Sequence, residues 1–264
     1  MYGVVKEVER LSPGMIRVVL SDGDLDGFES TGFTDEYVNA FFVPDGAPYE
    51  VPFTPEDIEE VDAEHRPKPR RYTVREWDAE QQHLTIDFVA HGDVGYAGRW
   101  AQRATPGDRL QFRGPGGGYA PNPEAGWHLL VGDESALPAI AASLERLPAG
   151  ARAITILVVD GPEYEQPLDS PADVDVVWLH RKDSPQPENL LPDAVAAIEF
   201  PDGQVDIFVH GEAGEVRDVR KHLLNDREVD ISGSSISPYW RRNHDDESWR
   251  AIKSQWLAEQ AADG

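Results

Sequence analysis

A change of hydrophobic rhythm near residue 122 constrains this chain more than any other feature. Before it, apolar and β-branched residues come in short alternating runs: Gly3–Glu9, Met15–Leu20, Tyr37–Val43, Arg71–Trp77, Leu84–Ala90 and Arg109–Arg113. Gly, Pro and Asp clusters separate them. Alternation with period two puts one strand face in a core and the other in water. Regular short strands of this kind predict an antiparallel barrel or sandwich. After it, Trp127–Val131, Ile154–Val159, Val174–Leu179 and Val205–Val209 are apolar throughout, and helical spacing over Glu134–Leu147, Leu190–Ile198 and Glu212–Leu224 separates them. Strands apolar on both faces, alternating with helices, predict a parallel sheet covered by helices. With 264 residues the chain is long enough for two such domains, expected at 1–122 and 123–264. Residues 45–69 are acidic and proline-rich and read as a surface loop. Tyr96–Ala104 reads as a short helix ended by Pro106-Gly107. Trp249, Ile252, Trp256 and Leu257 form one stripe of a final helix over Asp245–Ala261, expected to dock on the body.

Composition narrows the chemistry. There is no cysteine, which excludes thiolate nucleophiles, cysteine-ligated zinc, iron–sulfur clusters and disulfides. Electron chemistry would therefore need a bound cofactor. A net charge of −25 argues against nucleic-acid or anionic-membrane partners. Arginine outnumbers lysine, as suits a salt-rich cytoplasm or follows from codon bias. Against so acidic a background, clustered arginines mark local anion sites. No basic segment leads an apolar core at the N-terminus, and no run of about 18 apolar residues exists. A soluble, cytoplasmic monomer is expected.

Pro69-Arg70-Arg71-Tyr72-Thr73-Val74-Arg75 is such a cluster, in a strand-like segment. Alternation puts Arg70 and Tyr72 on one face and Arg71, Thr73 and Arg75 on the other, unless a bulge intervenes. A phenol, a guanidinium and a hydroxyl together suit a flat, phosphate-bearing cofactor; a solvated strand face has the same composition. His91-Gly92 ends a strand, and Gly95-Tyr96-Ala97-Gly98 opens a helix. Small residues there let free amides meet a pyrophosphate. Gly114–Tyr119 is a tight turn or a backbone rim beside a ligand. Gly132-Asp133-Glu134-Ser135-Ala136 follows a strand and opens a helix, where a nicotinamide nucleotide usually docks. Its acids cap the helix or bind hydroxyls rather than phosphate. His210-Gly211-Glu212-Ala213 repeats that geometry. His180-Arg181-Lys182 reads equally as a 2′-phosphate site or a solvated strand end. No histidine spacing argues for a metal site.

Four ordered blocks carry a family resemblance: RRYTVR at 70–75, DFVAHGDVGYAGRWA at 87–101, GDESALPAI at 132–140, and HGEAGEVRDVRKHLL at 210–224 followed by SPYWRR at 237–242. Together they resemble the siderophore-interacting protein family, the ferric-siderophore reductases of the ferredoxin-reductase superfamily. The resemblance implies an antiparallel FAD-binding β-barrel followed by a parallel-sheet α/β nucleotide domain. It also implies FAD as cofactor, NADH or NADPH as donor and a ferric siderophore or other ferric chelate as substrate. It places Arg70 on the cofactor phosphates, Tyr72 on the isoalloxazine and Thr73 near its reactive nitrogen, with Arg75 adding charge or bracing the strand. Tyr72 and Thr73 are accordingly the expected catalytic residues. Asp87, Val89, His91, Gly92, Gly95, Ala97, Gly98 and Trp100 are expected along the FAD, Trp100 equally as a core or interdomain anchor. Asp133, Glu134, Ser135, Ala136, Gly211, Glu212 and Ala213 are expected beside the flavin and nicotinamide path. Tyr239, Trp240, Arg241 and Arg242 are expected to face the substrate. The chain departs from the family at Tyr96 (commonly proline), Gly98 (serine), Pro238 (glycine) and Asn39 (lysine). A general flavin or ferredoxin-type reductase, and a flavin-free siderophore carrier, are the rival readings.

Overall fold

The first half builds a closed antiparallel barrel. In chain order its elements are β1 (Tyr2–Ser12), β2 (Met15–Ser21), β3 (Tyr37–Phe42), α1 (Pro55–Ile58), β4 (Lys68–Asp78), β5 (His83–Val89), α2 (Ala97–Arg103) and β6 (Arg109–Gly116). The strand order is β1-β2-β5-β4-β3-β6, and β6 pairs with β1. These assignments come from a computed structural model that describes residues 1–90, 92 and 95–262. Val18 and Leu20 of β2, Val38 and Ala40 of β3, and Leu84, Ile86 and Phe88 of β5 point inward and are fully buried, as their alternation requires. On β4 the alternation holds from Arg70 to Val74, then a bulge at Arg75 lets both Val74 and Trp77 meet the core. Arg75 is the extra residue of that bulge.

Residues 43–67 are more than a surface loop. Thr54 and Asp57 form a capping box on α1. The loop has a small aromatic core of its own, in which Phe53 packs edge-on against Phe41 and Tyr49. Gln111 of β6 clamps it, accepting from Phe53 N at 2.8 Å and donating to Phe53 O at 2.9 Å.

The second half comprises β7 (Trp127–Asp133), α3 (Leu137–Glu145), β8 (Arg152–Val159), β9 (Asp173–His180), α4 (Leu190–Ala197), β10 (Val205–Glu212), α5 (Ala213–Lys221), β11 (Ser235–Trp240) and α6 (Asp246–Ala262). Its five strands run parallel in the order β11-β10-β7-β8-β9. β7 is buried at every position, so both faces of the sheet centre are covered. β9 differs from expectation. It is the sheet edge, and Val176 and Val177 are 39% and 37% exposed on opposite faces. The α6 stripe docks as expected: Trp249 and Trp256 are buried against Ala213. By contacts the chain divides into two units, Met1–Tyr119 and Ala120–Gly264.

Candidate functional site

In the barrel unit, β4 delivers the first candidates. Tyr72 is half-buried, its ring 4.5 Å from Phe88 and 6.3 Å from Phe42. Trp100 of α2 completes this aromatic cluster, 5.8 Å from Phe42 and 5.6 Å from Phe88, so it is a core anchor. Arg70, on Tyr72's face, lies 5.7 Å from the ring of Tyr96, the residue that opens α2. Lys68 lies 5.9 Å from the same ring. Two cations therefore converge where α2 begins and its first amides lack intrahelical partners. Lys68 was not a sequence candidate; its spacing of two from Arg70 was the available signal.

The opposite face of β4 carries a second set. In the ladders Tyr37 is opposite Thr73, and Asn39 is opposite both Arg71 and Arg113. These residues therefore share the barrel's outer face. Thr73 is buried, yet its hydroxyl makes no hydrogen bond among the described residues. Arg71 sits 5.1 Å over Tyr37 and Arg113 5.5 Å over Phe41, and neither has an acidic partner among the described residues. Between them the side-chain amide oxygen of Asn39 is buried without a hydrogen-bond partner.

The 87–100 block divides. Asp87 is 4% exposed, and both its oxygens accept from Arg17 on β2, at 2.7 and 2.8 Å. That pairing raises the Arg17 pKa, chiefly through the hydrogen bond, and makes Asp87 a brace of the barrel. Val89 ends β5 opposite Met15. Gly92 and Gly95 have positive φ, and Gln102 of α2 donates to Gly92 O at 2.6 Å. His91 lies outside the described residues. Ala97 is buried. Gly98 serves close packing, since a Cβ there would lie 3.1 Å from Val89 O. Gly118 and Tyr119 amides both donate to Asp35 at 2.8 Å, so the Gly114–Tyr119 segment is tied into the barrel end.

In the α/β unit most candidates are committed to one another. Asp133 is fully buried at the end of β7. Its Oδ1 accepts from Ser135 N and Oγ at 2.9 and 2.5 Å, and its Oδ2 from Glu212 N at 2.9 Å and Trp240 Nε1 at 2.7 Å. Trp240 is therefore a tie between β11 and β7. Ala136 packs beneath this turn and Ala213 beneath the α6 tryptophans. Gly211 is needed because a Cβ would lie 2.7 Å from Asp133 Oδ2. Glu212 caps α5, accepting from Gly214 N and Glu215 N, and also takes Arg242 N at 3.0 Å. The Arg242 guanidinium donates to Glu215 at 2.7 Å. Glu134 pairs with Arg181 at 2.7 Å. Burial, reinforced by Asp133, pushes Glu134 up to about 7 and Glu215 up to about 8. His210 stacks on Phe208 at 4.1 Å and meets Tyr239 at 4.6 Å; burial lowers its pKa to about 3, so it is neutral. Arg241 alone of the 239–242 candidates has a side chain with no partner among the described residues.

The basic triplet is paired with carboxylates. His180 pairs with Glu165, Arg181 with Glu134 and Asp160, and Lys182 with Glu163. Among the described residues no cluster of His, Cys, Asp or Glu could hold a metal, and no helix is long and apolar enough to cross a membrane.

Residues 4–119 match the model of the siderophore-interacting FAD-binding domain, and residues 125–243 that of the siderophore-interacting protein. The chain belongs to the siderophore-interacting protein family. It is 35% identical to ferric vibriobactin reductase ViuB of Vibrio cholerae, over 90% of this chain and 88% of that one. It is 30% identical to the NADPH-dependent ferric-chelate reductase of Escherichia coli, over 89% and 91%. Among solved structures it resembles the siderophore-interacting protein SipS of Aeromonas hydrophila, with a TM-score of 0.82 and 30% identity over 98% of both chains. The barrel is thus an FAD-binding domain, and the fold is the one the family resemblance implied.

Proposed function

We propose that this protein is an FAD-dependent NAD(P)H:ferric-chelate reductase that releases iron from a ferric siderophore. The observation that carries the reading is the convergence of Lys68 and Arg70 on the opening of α2, beside Tyr72 on the same strand face. That donor set fits a diphosphate joined to a flat ring: two cations and unpaired amides for the phosphates, a supported phenol for the ring. Lys68, Arg70 and the amides of residues 95–98 would hold the FAD diphosphate. Tyr72 would pack against the ring system, and the Thr73 hydroxyl is the uncommitted donor for it. When bound, FAD supplies the conversion between a two-electron nicotinamide donor and one-electron reduction of iron(III).

The chain's own residues do the rest by binding and orientation. Phe42 and Phe88, themselves packed on Trp100, fix the plane of Tyr72. In the barrel unit, Arg71 and Arg113 give an acidic chain local positive charge that attracts an anionic chelate. The carboxyl edge of the parallel sheet is the docking edge for the nicotinamide nucleotide. Because the 180–182 cations are paired with carboxylates, that edge accepts NADH at least as readily as NADPH. Iron(II) binds hard oxygen ligands more weakly than iron(III), so reduction frees the metal. The test is anaerobic reduction of the purified flavoprotein followed by a ferric siderophore and an iron(II) trap. Reoxidation of the flavin with trapped iron(II) is expected; a flavin that stays reduced, with no trapped iron(II), refutes the substrate assignment.

A further inference from the structure

The carboxyl edge of the parallel sheet carries a charge cluster drawn from all five strands. Asp133 ends β7 and Glu134 follows it, Asp160 follows β8, Arg181 follows β9, Glu212 and Glu215 sit where β10 passes into α5, and Arg242 lies just beyond β11. Arg181 is the hub. It meets Glu134 at 2.7 Å and Asp160 at 3.3 Å, and Asp133 and Glu215 act on it as well. Arg242 meets Glu215 at 2.7 Å. Glu215 Oε2 and Arg181 Nη2 are both buried with no hydrogen-bond partner among the described residues. The helix amides at this edge are already taken: Glu212 accepts from Gly214 N and Glu215 N, and Asp133 from Ser135 N. A diphosphate arriving here meets carboxylates where an open helix N-terminus would offer donors.

We infer that Glu134 and Glu215 set how tightly this edge takes the diphosphate of a nicotinamide donor, and that the affinity falls as the solution turns alkaline; the inference rests on the donor reading above and names the residues that tune it. Glu134 faces Asp133 and Arg181, and Glu215 faces Asp133, Arg181, Arg242 and Glu212. Burial first, then Asp133, keeps both carboxyls protonated beyond the usual carboxylate range, Glu134 up to about 7 and Glu215 up to about 8. Below those values neither adds charge to the edge. As pH climbs through them each adds one negative charge, which the arginines already shared with Asp133, Glu212 and Asp160 counter only in part. A bound diphosphate opposes both ionisations. By reciprocity its binding at intermediate pH draws protons onto the two glutamates.

The test titrates the FAD-loaded protein with ADP-ribose, which carries the donor's diphosphate and no reducible ring, by calorimetry at pH 6 and pH 9. Two added charges opposing a doubly charged diphosphate across about one Debye length support a loss of affinity of roughly five- to fiftyfold at the higher pH. Near pH 7.5, titrations in two buffers of different ionisation heat are expected to show net proton uptake on binding. Both readouts stand on the unmodified protein alone. Glu134→Gln and Glu215→Gln are each expected to remove part of the loss and of the uptake, and together nearly all of both. Glutamates that only held the fold would shift affinity alike at every pH and take up no proton. An affinity equal at pH 6 and pH 9, or uptake undiminished in the double variant, overturns the inference while the donor reading stands. So does a protein that NADH reduces but that binds no ADP-ribose at pH 6. A protein that NADH does not reduce and that binds no ADP-ribose overturns the donor reading with it.

Discussion

Replacing Glu215 with glutamine is expected to stabilise the protein at alkaline pH, although the substitution removes one member of an ion pair. Glu215 is 1% exposed, and its Oε2 has no hydrogen-bond partner. Around it stand the carboxyls of Asp133 and Glu212 and the guanidiniums of Arg181 and Arg242. Burial is the main reason its pKa rises from 4.5 to about 8, with Asp133 adding to the rise and both arginines opposing it. The folded state therefore holds this proton more tightly than the unfolded chain does. The stabilisation is complete below pH 4.5 and is lost as pH climbs through about 8. At about 1.4 kcal/mol per pH unit the ceiling is on the order of 5 kcal/mol, and relaxation around the half-exposed Arg242 reduces the expected loss to about 2–3 kcal/mol. Glutamine stays neutral and can still accept from Arg242. Thermal unfolding followed by circular dichroism from pH 5 to 9 should show the two proteins together near pH 5. At pH 9 the variant should melt higher, by about 4–12 °C. Glu134, pushed up to about 7, contributes a smaller loss of the same sign that survives in the variant. His210 acts oppositely: its contribution is complete above 6.5 and is lost as pH falls through about 3. Parallel wild-type and E215Q curves from pH 5 to 9 would refute the reasoning.

Three further outcomes follow from the contacts. Arg17→Ala leaves the buried Asp87 unpaired and should cost about 3–5 kcal/mol in urea unfolding, with Asp87→Asn added to it recovering part of the loss. Gly211→Ala forces a Cβ to within 2.7 Å of Asp133 at a φ of +145°, and should destabilise the protein by more than about 3 kcal/mol, also read by urea unfolding. Arg71→Ala with Arg113→Ala should raise KM for an anionic ferric chelate while leaving kcat, and KM for an uncharged chelate, unchanged. Steady-state kinetics with the two chelates checks it.

The barrel strands were legible because each has one buried face, so the period-two pattern carries its own answer. Ile16, Val18 and Leu20 turn inward from β2 just as their spacing requires. What stayed hidden depends on sheet order, which no local pattern encodes. Val174–Leu179 reads as a strand covered on both faces, yet two crossovers place it at the edge. β11 was missed for a related reason. Pro238 argues against a central strand, but β11 is the opposite edge, where a missing N–H leaves no ladder bond unmade. Residues 45–69 read as a surface loop from their acids and prolines, yet Lys68 and Pro69 already belong to β4. The order of the loop before β4 comes from Gln111 and Arg109, each 58 residues from its partner in sequence.

The same distinction governs the site. Tyr72, Arg70 and Thr73 were candidates because a phenol, a guanidinium and a hydroxyl on one strand suit a flat, phosphate-bearing cofactor, although a solvated strand face has the same composition. Asp133, Glu212 and Trp240 sit in equally suggestive motifs, yet their polar atoms are consumed by partners up to 107 residues distant. In a chain with so many carboxylates, an arginine usually finds one, as Arg17, Arg181 and Arg242 do. Such a pair cancels its own field. Arg71 and Arg113 are held instead over the rings of Tyr37 and Phe41, and a ring orients a guanidinium without neutralising it. Their charge therefore remains available to an anion, on the face that also carries the uncommitted Thr73 hydroxyl. The type of partner that holds each arginine, more than the number of arginines, separates the cations that build this fold from those free to act on a ligand.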